Sequence, residues 1–506
     1  MKKSVWLILV VLVLLLQLAA EAFLAVVVLR LNMLPDMYAA ILIVVLLVLL
    51  LLTLLLLLLK PKKPVLGIVR RVIGMLLAFV IICGCVIAAK LATDAYKTIH
   101  SVTNTPTITD TRSMYVFVRA DDPAEALSDV ADYRFAVIED YDWDHTQAAI
   151  AYVEIAVGDT IAVTEYASAI EVADALFAKQ TDAIIFNSVS IALLEEMENY
   201  TDFTSKVKIL QQIPLSELEL PEEPTLPTQT EPPVKSVTNS AFVVYVSGTD
   251  TRSSITSTSR SDVNILMVVN PVSKQVLLIN TPRDCWIANP AGNGRMDKLT
   301  HLGLYGTECS MKALGDLYGL DIDYFGRINF TGFETLVDAI GGITVFSDEA
   351  FTVLGKYYYQ YGENHLDGES ALHFARDRYH VNGGDHGRGK NQMKVIKAVI
   401  EKLTTGTTII AGYSEILRSL EGMFSTSMTM DDISTLVKMQ LTDMAKWNIQ
   451  SIALGGVGGS EKTYSMPGSY AYVMYPDESQ VAYISLLAQR VIDGEVLTEA
   501  DLTFPE

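Results

Sequence analysis

The stretch that decides the fold reads DVNILMVVNPVSKQVLLINTPRD, residues 262–284. Two apolar runs rich in valine, isoleucine and leucine flank NPVSK, so the segment predicts a hairpin-like pair of strands with NPVSK as the turn. Just upstream, AFVVYVSGTDTR (241–252) reads as a buried strand ending in a glycine-containing loop. Downstream, ECSMKALGDLYGL (308–320) predicts a helix, DYFGRINF (323–330) a strand, TGFETLVDAIGG (331–342) a helix with glycine past its end, and ITVFS (343–347) a strand. In NQMKVIKAVIEKL (391–403), Met393, Val395, Ile396, Val399, Ile400 and Leu403 recur at helical spacing. WNIQSIALGG (447–456) closes the series as a late strand, after further helices beyond Thr404. The C-terminal part is therefore an α/β domain with a mixed central sheet flanked by helices.

The 506-residue chain is too long for one ordinary core, so two or more domains are expected. Three apolar runs stand at its front, about Ser4–Val28, Met37–Leu59 and Val65–Ala92. Each is long enough to cross a hydrocarbon layer of about 30 Å, which takes roughly 20 helical residues. A signal peptide has a shorter apolar region and would not explain three runs. Three buried helices of a soluble protein are disfavoured because LLLTLLLLLL has no polar face. Lys2 and Lys3 precede the first run, and KPKKP with Arg70 and Arg71 separates the second from the third. The loop RLNMLPDM between the first two is nearly neutral. The charge bias predicts a multi-pass protein of the cell membrane with its N-terminus in the cytoplasm and everything after about Ala95 outside.

Beyond the membrane, residues 96–210 alternate strand and helix patterns and predict a small, mainly parallel α/β accessory domain. MYVFVR, RFAVIED, TIAVTEY and DAIIFNS read as strands; PAEALSDV, WDHTQAAIAYVEIAVG, AIEVADALFAKQ and SIALLEEMENY read as helices. This domain carries no phosphate-binding glycine pattern, and its acidic runs are read as solvated helix faces. Residues 211–240, rich in Pro, Glu and Thr, cannot build a core and read as an extended linker. The last domain spans 241–506, with its motifs in 242–403. Of four cysteines, Cys83 and Cys85 fall in the third apolar run, and Cys285 and Cys309 lie outside it; spacing alone does not say whether the latter two pair.

The net charge is −21, yet HFARDRYHVNGGDHGRGKNQ (373–392) gathers Arg376, Arg378, Arg388 and Lys390 around glycines. Further charges fall at strand ends: Asp250 and Arg252 after the first strand, Asp262 before the second, Arg283 and Asp284 after the third. Loops at strand ends carry sites because a rigid sheet positions them. Carboxylates suit a hard cation that keeps waters and shares phosphate oxygens. Arginine forks grip phosphate bidentately. A pyrophosphate satisfies both sets; the alternative is a series of separate surface salt bridges, and residue chemistry alone leaves both open. His373, His380, Asp385 and His386 lack zinc-site spacing. Nucleic-acid binding is disfavoured by predicted topology, overall acidity and the lack of interleaved aromatics. No nucleophile motif stands out.

Taken together, SGTDTR, RSDVNILMVVNP, INTPRD, DKLTHLGLYG, FGRINFTGFETLVDAIGGITV, LDGESALHFARDR and GDHGRGKNQ resemble the LytR-CpsA-Psr (LCP) family, in its order, over about Phe242–Leu403. The architecture resembles that of the capsule-type members. The departures are TPRD, where an apolar residue is expected before the proline, and Cys285 directly after that motif. The resemblance implies a phosphotransferase that moves a cell-wall glycopolymer, teichoic acid or capsular polysaccharide, from a polyprenyl-pyrophosphate carrier to peptidoglycan. It implies Mg²⁺, with Mn²⁺ as a substitute, on Asp250 and Asp262. It implies a pyrophosphate clamp of Arg252, Arg283, Arg376, Arg378 and Arg388, with Lys298 and Gln392 near it. Asp385 is expected to orient an arginine or help the incoming hydroxyl, and an apolar cavity is expected for the lipid. The partners so implied are the lipid-linked donor, peptidoglycan and membrane lipid, and no nucleic acid. A hydrolase of the same pyrophosphate and a non-enzymatic lipid-glycan binding or regulatory module are the competing readings.

Overall fold

The computed structural model describes residues 3–31, 34–59, 64–103, 112–218, 236–249, 255, 258–405 and 422–504. Helices α1 (Lys3–Leu31), α2 (Asp36–Leu58) and α3 (Pro64–Thr103) open the chain. Each contains a segment long and apolar enough to cross a membrane: Trp6–Arg30, Asp36–Leu58 and Gly67–Asp94. They pack together through Leu24, Leu46, Ile81 and Ala89. Helix α3 runs on from Asp94 to Thr103, about 13 Å at 1.5 Å per residue.

The next unit comprises β1 (Ser113–Arg119), β2 (Arg134–Ile138), α4 (Trp143–Val157), β3 (Ala162–Tyr166), α5 (Ala169–Phe177), β4 (Ala183–Asn187), α6 (Ser188–Leu194), α7 (Phe203–Lys206) and β5 (Val207–Pro214). The sheet order is β3-β2-β4-β1-β5. Strand β2 is parallel to β3 and β4, but β1 is antiparallel to both β4 and β5. The sheet is thus half antiparallel rather than mainly parallel. Strand β5 also runs four residues into the stretch read as linker, whose core, 219–235, lies outside the described residues. A second difference is local. The helix expected over PAEALSDV is a single 3-10 turn, Leu127–Asp129. The Asp122 carboxylate accepts from the Ala124 N–H, and Asp129 accepts from Glu125 and Ala126. Such side-chain bonds compete with helix for the same donors.

The C-terminal domain contains β6 (Phe242–Thr249), β7 (Val263–Asn270), β8 (Gln275–Asn280), β9 (Trp286–Ala288), β10 (Met296–Lys298), α8 (Leu299–Leu302), α9 (Thr307–Tyr318), β11 (Tyr324–Asn329) and α10 (Phe330–Ala339). It continues with β12 (Ile343–Ser347), β13 (Phe351–Val353), β14 (Tyr357–Tyr359), β15 (Gly362–Leu366), α11 (Gly368–Arg376) and α12 (Asp385–Thr404). It ends with β16 (Phe424–Thr426), α13 (Met430–Asp443), β17 (Asn448–Ala453), β18 (Gly456–Thr463), β19 (Met466–Pro476) and α14 (Glu478–Ile492). The central sheet has the order β16-β11-β6-β7-β8-β17 and is mixed, as expected. β11 and β6 are parallel, as are β17 and β8, while β6, β7 and β8 form an antiparallel meander. The NPVSK turn closes because the Asn270 side chain accepts from the N–H groups of Val272 and Ser273. The predicted strand ITVFS leaves the central sheet and pairs with β15 in a separate ribbon. The hairpin β18–β19 was not foreseen.

Strand alternation divides the sheet into two faces. Val243, Tyr245, Leu266, Val268, Leu277 and Ile279 point to one of them. That core continues without a break into Phe117, Ile184, Phe186 and Phe203 of the accessory unit. At the junction, the hydroxyls of Tyr141 and Tyr305 are 3.0 Å apart, and the Asp142 N–H donates to the Tyr464 hydroxyl at 3.2 Å. The accessory unit is therefore packed onto the C-terminal domain rather than tethered to it. Cys285 and Cys309 are both buried and both free.

Candidate active site

On the opposite face, Phe242, Val244, Val246 and Met267 face helix α12 across an open space. The result is a cavity of about 910 Å³. Val395, Ile396 and Val399 of α12, Phe333 and Leu336 of α10, and Leu436 and Trp447 complete its apolar wall. Asp262, Arg283, Arg376, Arg378, Arg388 and Gln392 also line it. Six of the ten residues singled out from sequence thus converge on one opening. Asp250 and Arg252 lie outside the described residues. Lys298 and Asp385 stand beside the opening without lining it, each tied to a group described below.

The convergence follows from the strand directions. β6 and β8 end, and antiparallel β7 begins, at the same sheet edge, so Asp262 and Arg283 meet there. Arg283 donates from Nη1 to Asp262 Oδ1, and both side chains are largely buried. Helix α12 reaches this edge because glycine leaves room. A Cβ on Gly389 would lie 2.3 Å from Nδ2 of Asn280, the last residue of β8. Gly383 and Gly384 adopt positive φ, whereas Gly387 and Gly389 permit close approach to the protein's own Asn382 and Asn280.

The loop between α11 and α12 presents its arginines by engaging its acid elsewhere. The Asp377 carboxylate accepts from the His380 N–H at 2.9 Å and lies 2.8 Å from His380 Nδ1. Arg376 rests on the Phe330 ring at 4.1 Å, and Arg378 Nη2 donates to the Tyr379 hydroxyl at 2.8 Å. Glu349 pins the loop by accepting from the Asn382 N–H and side chain. Arg388 is paired through Nη2 to Asp385 Oδ1 at 2.5 Å, while its Nε is buried without a partner among the described residues. An orphaned buried donor of this kind is an opening for an anion. Burial pushes the Asp385 carboxyl above its ordinary value, against the opposing pull of Arg388. Lys298 donates to Asp284 at 2.6 Å.

Arg260 was missed as a site residue, although it sits in the quoted RSD, two positions before Asp262. Burial, then the charge of Arg283, lowers its pKa to about 10. Its guanidinium pairs with Glu196 of the accessory unit, and its Nε has no partner among the described residues. Sequence reading had no means of finding Glu196. Among the described residues, no three acidic, His or Cys side chains gather as a closed metal site. His373 stacks on Tyr357 instead, with ring centroids 4.2 Å apart. Asp262 and nearby Asp284 are hard oxygen donors, the type a magnesium ion uses when it keeps waters and shares phosphate oxygens. The donor set therefore fits an ion shared with a phosphate substrate better than one caged by protein.

The sequence model of the LytR_cpsA_psr family matches residues 219–482. The chain is 34% identical over 178 residues to the polyisoprenyl-teichoic acid–peptidoglycan teichoic acid transferase TagU of Enterococcus faecalis, covering 35% of this chain and 58% of that one. It is 32% identical over 228 residues to TagU of Oceanobacillus iheyensis, covering 43% and 67%. The crystal structure of TagU from B. subtilis aligns with 28% identity and a TM-score of 0.39, covering 51% of this chain and all of that one.

Proposed function

Since the chain belongs to the LytR_cpsA_psr family, we propose that it is a membrane-anchored phosphotransferase that moves a glycopolymer from a polyprenyl-pyrophosphate carrier to peptidoglycan. One observation carries this reading: a cavity of about 910 Å³ whose walls are apolar and whose opening is lined by Arg283, Arg376, Arg378, Arg388 and Asp262. An isoprenoid chain matches the walls, and a pyrophosphate matches the opening. The relatives' names supply the glycopolymer class, teichoic acid, and the acceptor. The basic residues before α1 and between α2 and α3 support a cytoplasmic N-terminus and an extracytoplasmic C-terminal domain.

In the proposed reaction, an acceptor hydroxyl oxygen on peptidoglycan bonds to the phosphorus that bears the glycan. The bond from that phosphorus to the bridging oxygen breaks, and polyprenyl phosphate leaves. The hydroxyl proton passes to solvent or to the leaving phosphate. Arg283, Arg376, Arg378 and Arg388 hold the phosphate oxygens and neutralise charge that grows on the bridging oxygen. Asp385 orients Arg388. Asp262, with Asp250, is the proposed holder of Mg²⁺, which supplies charge neutralisation at the phosphates when bound.

The test is transfer of a labelled glycan from a polyprenyl-pyrophosphate donor to peptidoglycan by the purified full chain, with and without Mg²⁺. Transfer by the parent protein and at least a hundredfold loss in Asp262→Asn are expected. Label recovered as free glycan phosphate, or transfer that survives Asp262→Asn, would reject the reading.

A further inference from the structure

The cavity's apolar wall includes Phe424 and Thr426 of β16 and Leu436, Val437 and Met439 of α13. Both elements touch the membrane helices. Helix α3 packs against β16 and against α13. Lys438 of α13 extends its Nζ to 2.7 Å from Oδ1 of Asp36, the first residue of α2. Asp36 marks the end of a span, so this ion pair sits where hydrocarbon gives way to headgroups. Two contacts from different helices therefore bring the same wall of the cavity to the same end of the bundle.

We propose that the three-helix bundle is a dock that holds the α13–β16 side of the cavity against the outer membrane surface, so that the isoprenoid chain of a membrane-resident donor enters sideways, past α13, without crossing water. The inference rests on the function proposed above and specifies how that site receives its lipid. Exposing a long hydrocarbon chain to water during transfer is unfavourable in proportion to its area, and an entrance apposed to the bilayer removes that barrier. The short reach of α3 beyond its apolar segment, about 13 Å, leaves the domain close to the headgroups. Lys438 and Asp36 act as positioning residues, since neither belongs to the charged opening.

The experiment uses the full chain in phosphatidylglycerol vesicles and has two arms. In the first, Asp36→Cys with Lys438→Cys is treated with a short bis-maleimide; an intramolecular cross-link is expected. Lys356→Cys with Glu369→Cys, an exposed pair 3.3 Å apart, is the positive control. In the second arm, Lys438→Glu should raise the KM for a long-chain polyprenyl donor in the vesicles about fivefold, the scale of one exposed ion pair. The kcat should hold, a short-chain water-soluble donor should be used as before, and adding Asp36→Lys should restore the KM. A control cross-link without the test cross-link overturns the dock. So does an equal loss on both donors, or failure of the charge swap to rescue. A parent protein that transfers from neither donor would refute the proposed function, while the cross-link still decides the dock.

Discussion

The pairing of Asp385 with Arg388 yields a prediction that separates two roles for the acid. Arg388 lines the opening and has an Nε without a partner among the described residues, whereas Asp385 lies behind it, one helical turn earlier. Removing Arg388 deletes the proposed charge-assisted bond to phosphate, about 1.5–3 kcal/mol, so Arg388→Ala should lower kcat/KM roughly 10- to 150-fold. Asp385→Asn keeps an acceptor oxygen for the guanidinium and loses only its charge, about 1 kcal/mol or roughly fivefold. The double variant should then match Arg388→Ala within about twofold, because an orienting group has nothing left to orient. A general base would behave differently: Asp385→Asn would cost about 10²–10⁴-fold and add to the Arg388→Ala loss. Transfer kinetics of the three variants decide the matter, and additive losses of that size would refute the orienting role. Stability offers a second readout. The folded Asp385 carboxyl holds its proton more tightly than the unfolded chain does, because burial disfavours its charge. Its effect on stability therefore becomes less favourable as pH rises from 3.8 through the folded pKa. Arg388→Ala removes the opposing cation and raises that pKa further, so its extra destabilisation should grow as the pH rises through this window.

Other outcomes follow from single side chains. Ile396→Trp, directed into the cavity, should raise the KM for a long-chain donor about tenfold without lowering the melting temperature; an unchanged KM would mean that the lipid does not lie along α12. His301 is kept neutral by burial while its Nδ1–H donates to Asp297 at 2.8 Å. Its folded pKa lies below 6.5, so the stability linked to it is lost as pH falls from 6.5 towards that value. Thermal unfolding of His301→Gln should show a shallower acid slope than the parent below about pH 6.5. Tyr305→Phe strands the Tyr141 hydroxyl in a buried junction, while Ser465 keeps its bond to Asp297, and should cost about 1–3 kcal/mol in denaturant unfolding; a loss under about 0.5 kcal/mol would mean that the accessory unit is not held there.

Much of this was written in local pattern. The strands around NPVSK and the helical spacing over 391–403 have periods that burial alone enforces, and the three apolar runs are legible by their length, whereas the start of α12 at Asp385 is not. The charged residues at strand ends were also legible, because the chain must turn there and a sheet edge brings such turns together. Less visible were features decided by distant partners. Strand β5 (VKILQQIP) runs into the polar stretch that leads to the linker, and it pairs with β1 about 95 residues earlier. The Asp122 and Asp129 carboxylates defeated a plausible helix by bonding to nearby N–H groups. Glu196 is acidic, exposed in pattern and otherwise unremarked, yet it meets Arg260 beside Asp262. The tyrosines at the junction carry no local signal, because their partners lie on the other domain.

Helix α12 shows how the two halves of the proposed substrate are met by one element. Its first two turns, Asp385 to Gln392, carry charge and glycine; from Met393 onward, Val395, Ile396, Val399 and Ile400 face the apolar space. That change in composition within a single helix is unfavourable for a helix buried along one uniform face. It is favourable for one that passes from a charged opening into an apolar cavity, since each turn then faces its own solvent. The glycines are needed for the same reason: Gly389 brings the charged turns against Asn280 at the edge where Asp262 and Arg283 stand. A polar side chain moved inward by one turn, as in Ile396→Arg, would leave an unpaired charge in the cavity. A bulky residue at Gly389 would push the arginine turns off the sheet edge. On the proposed function, the abrupt boundary between Gln392 and Met393 is the depth at which headgroup gives way to tail.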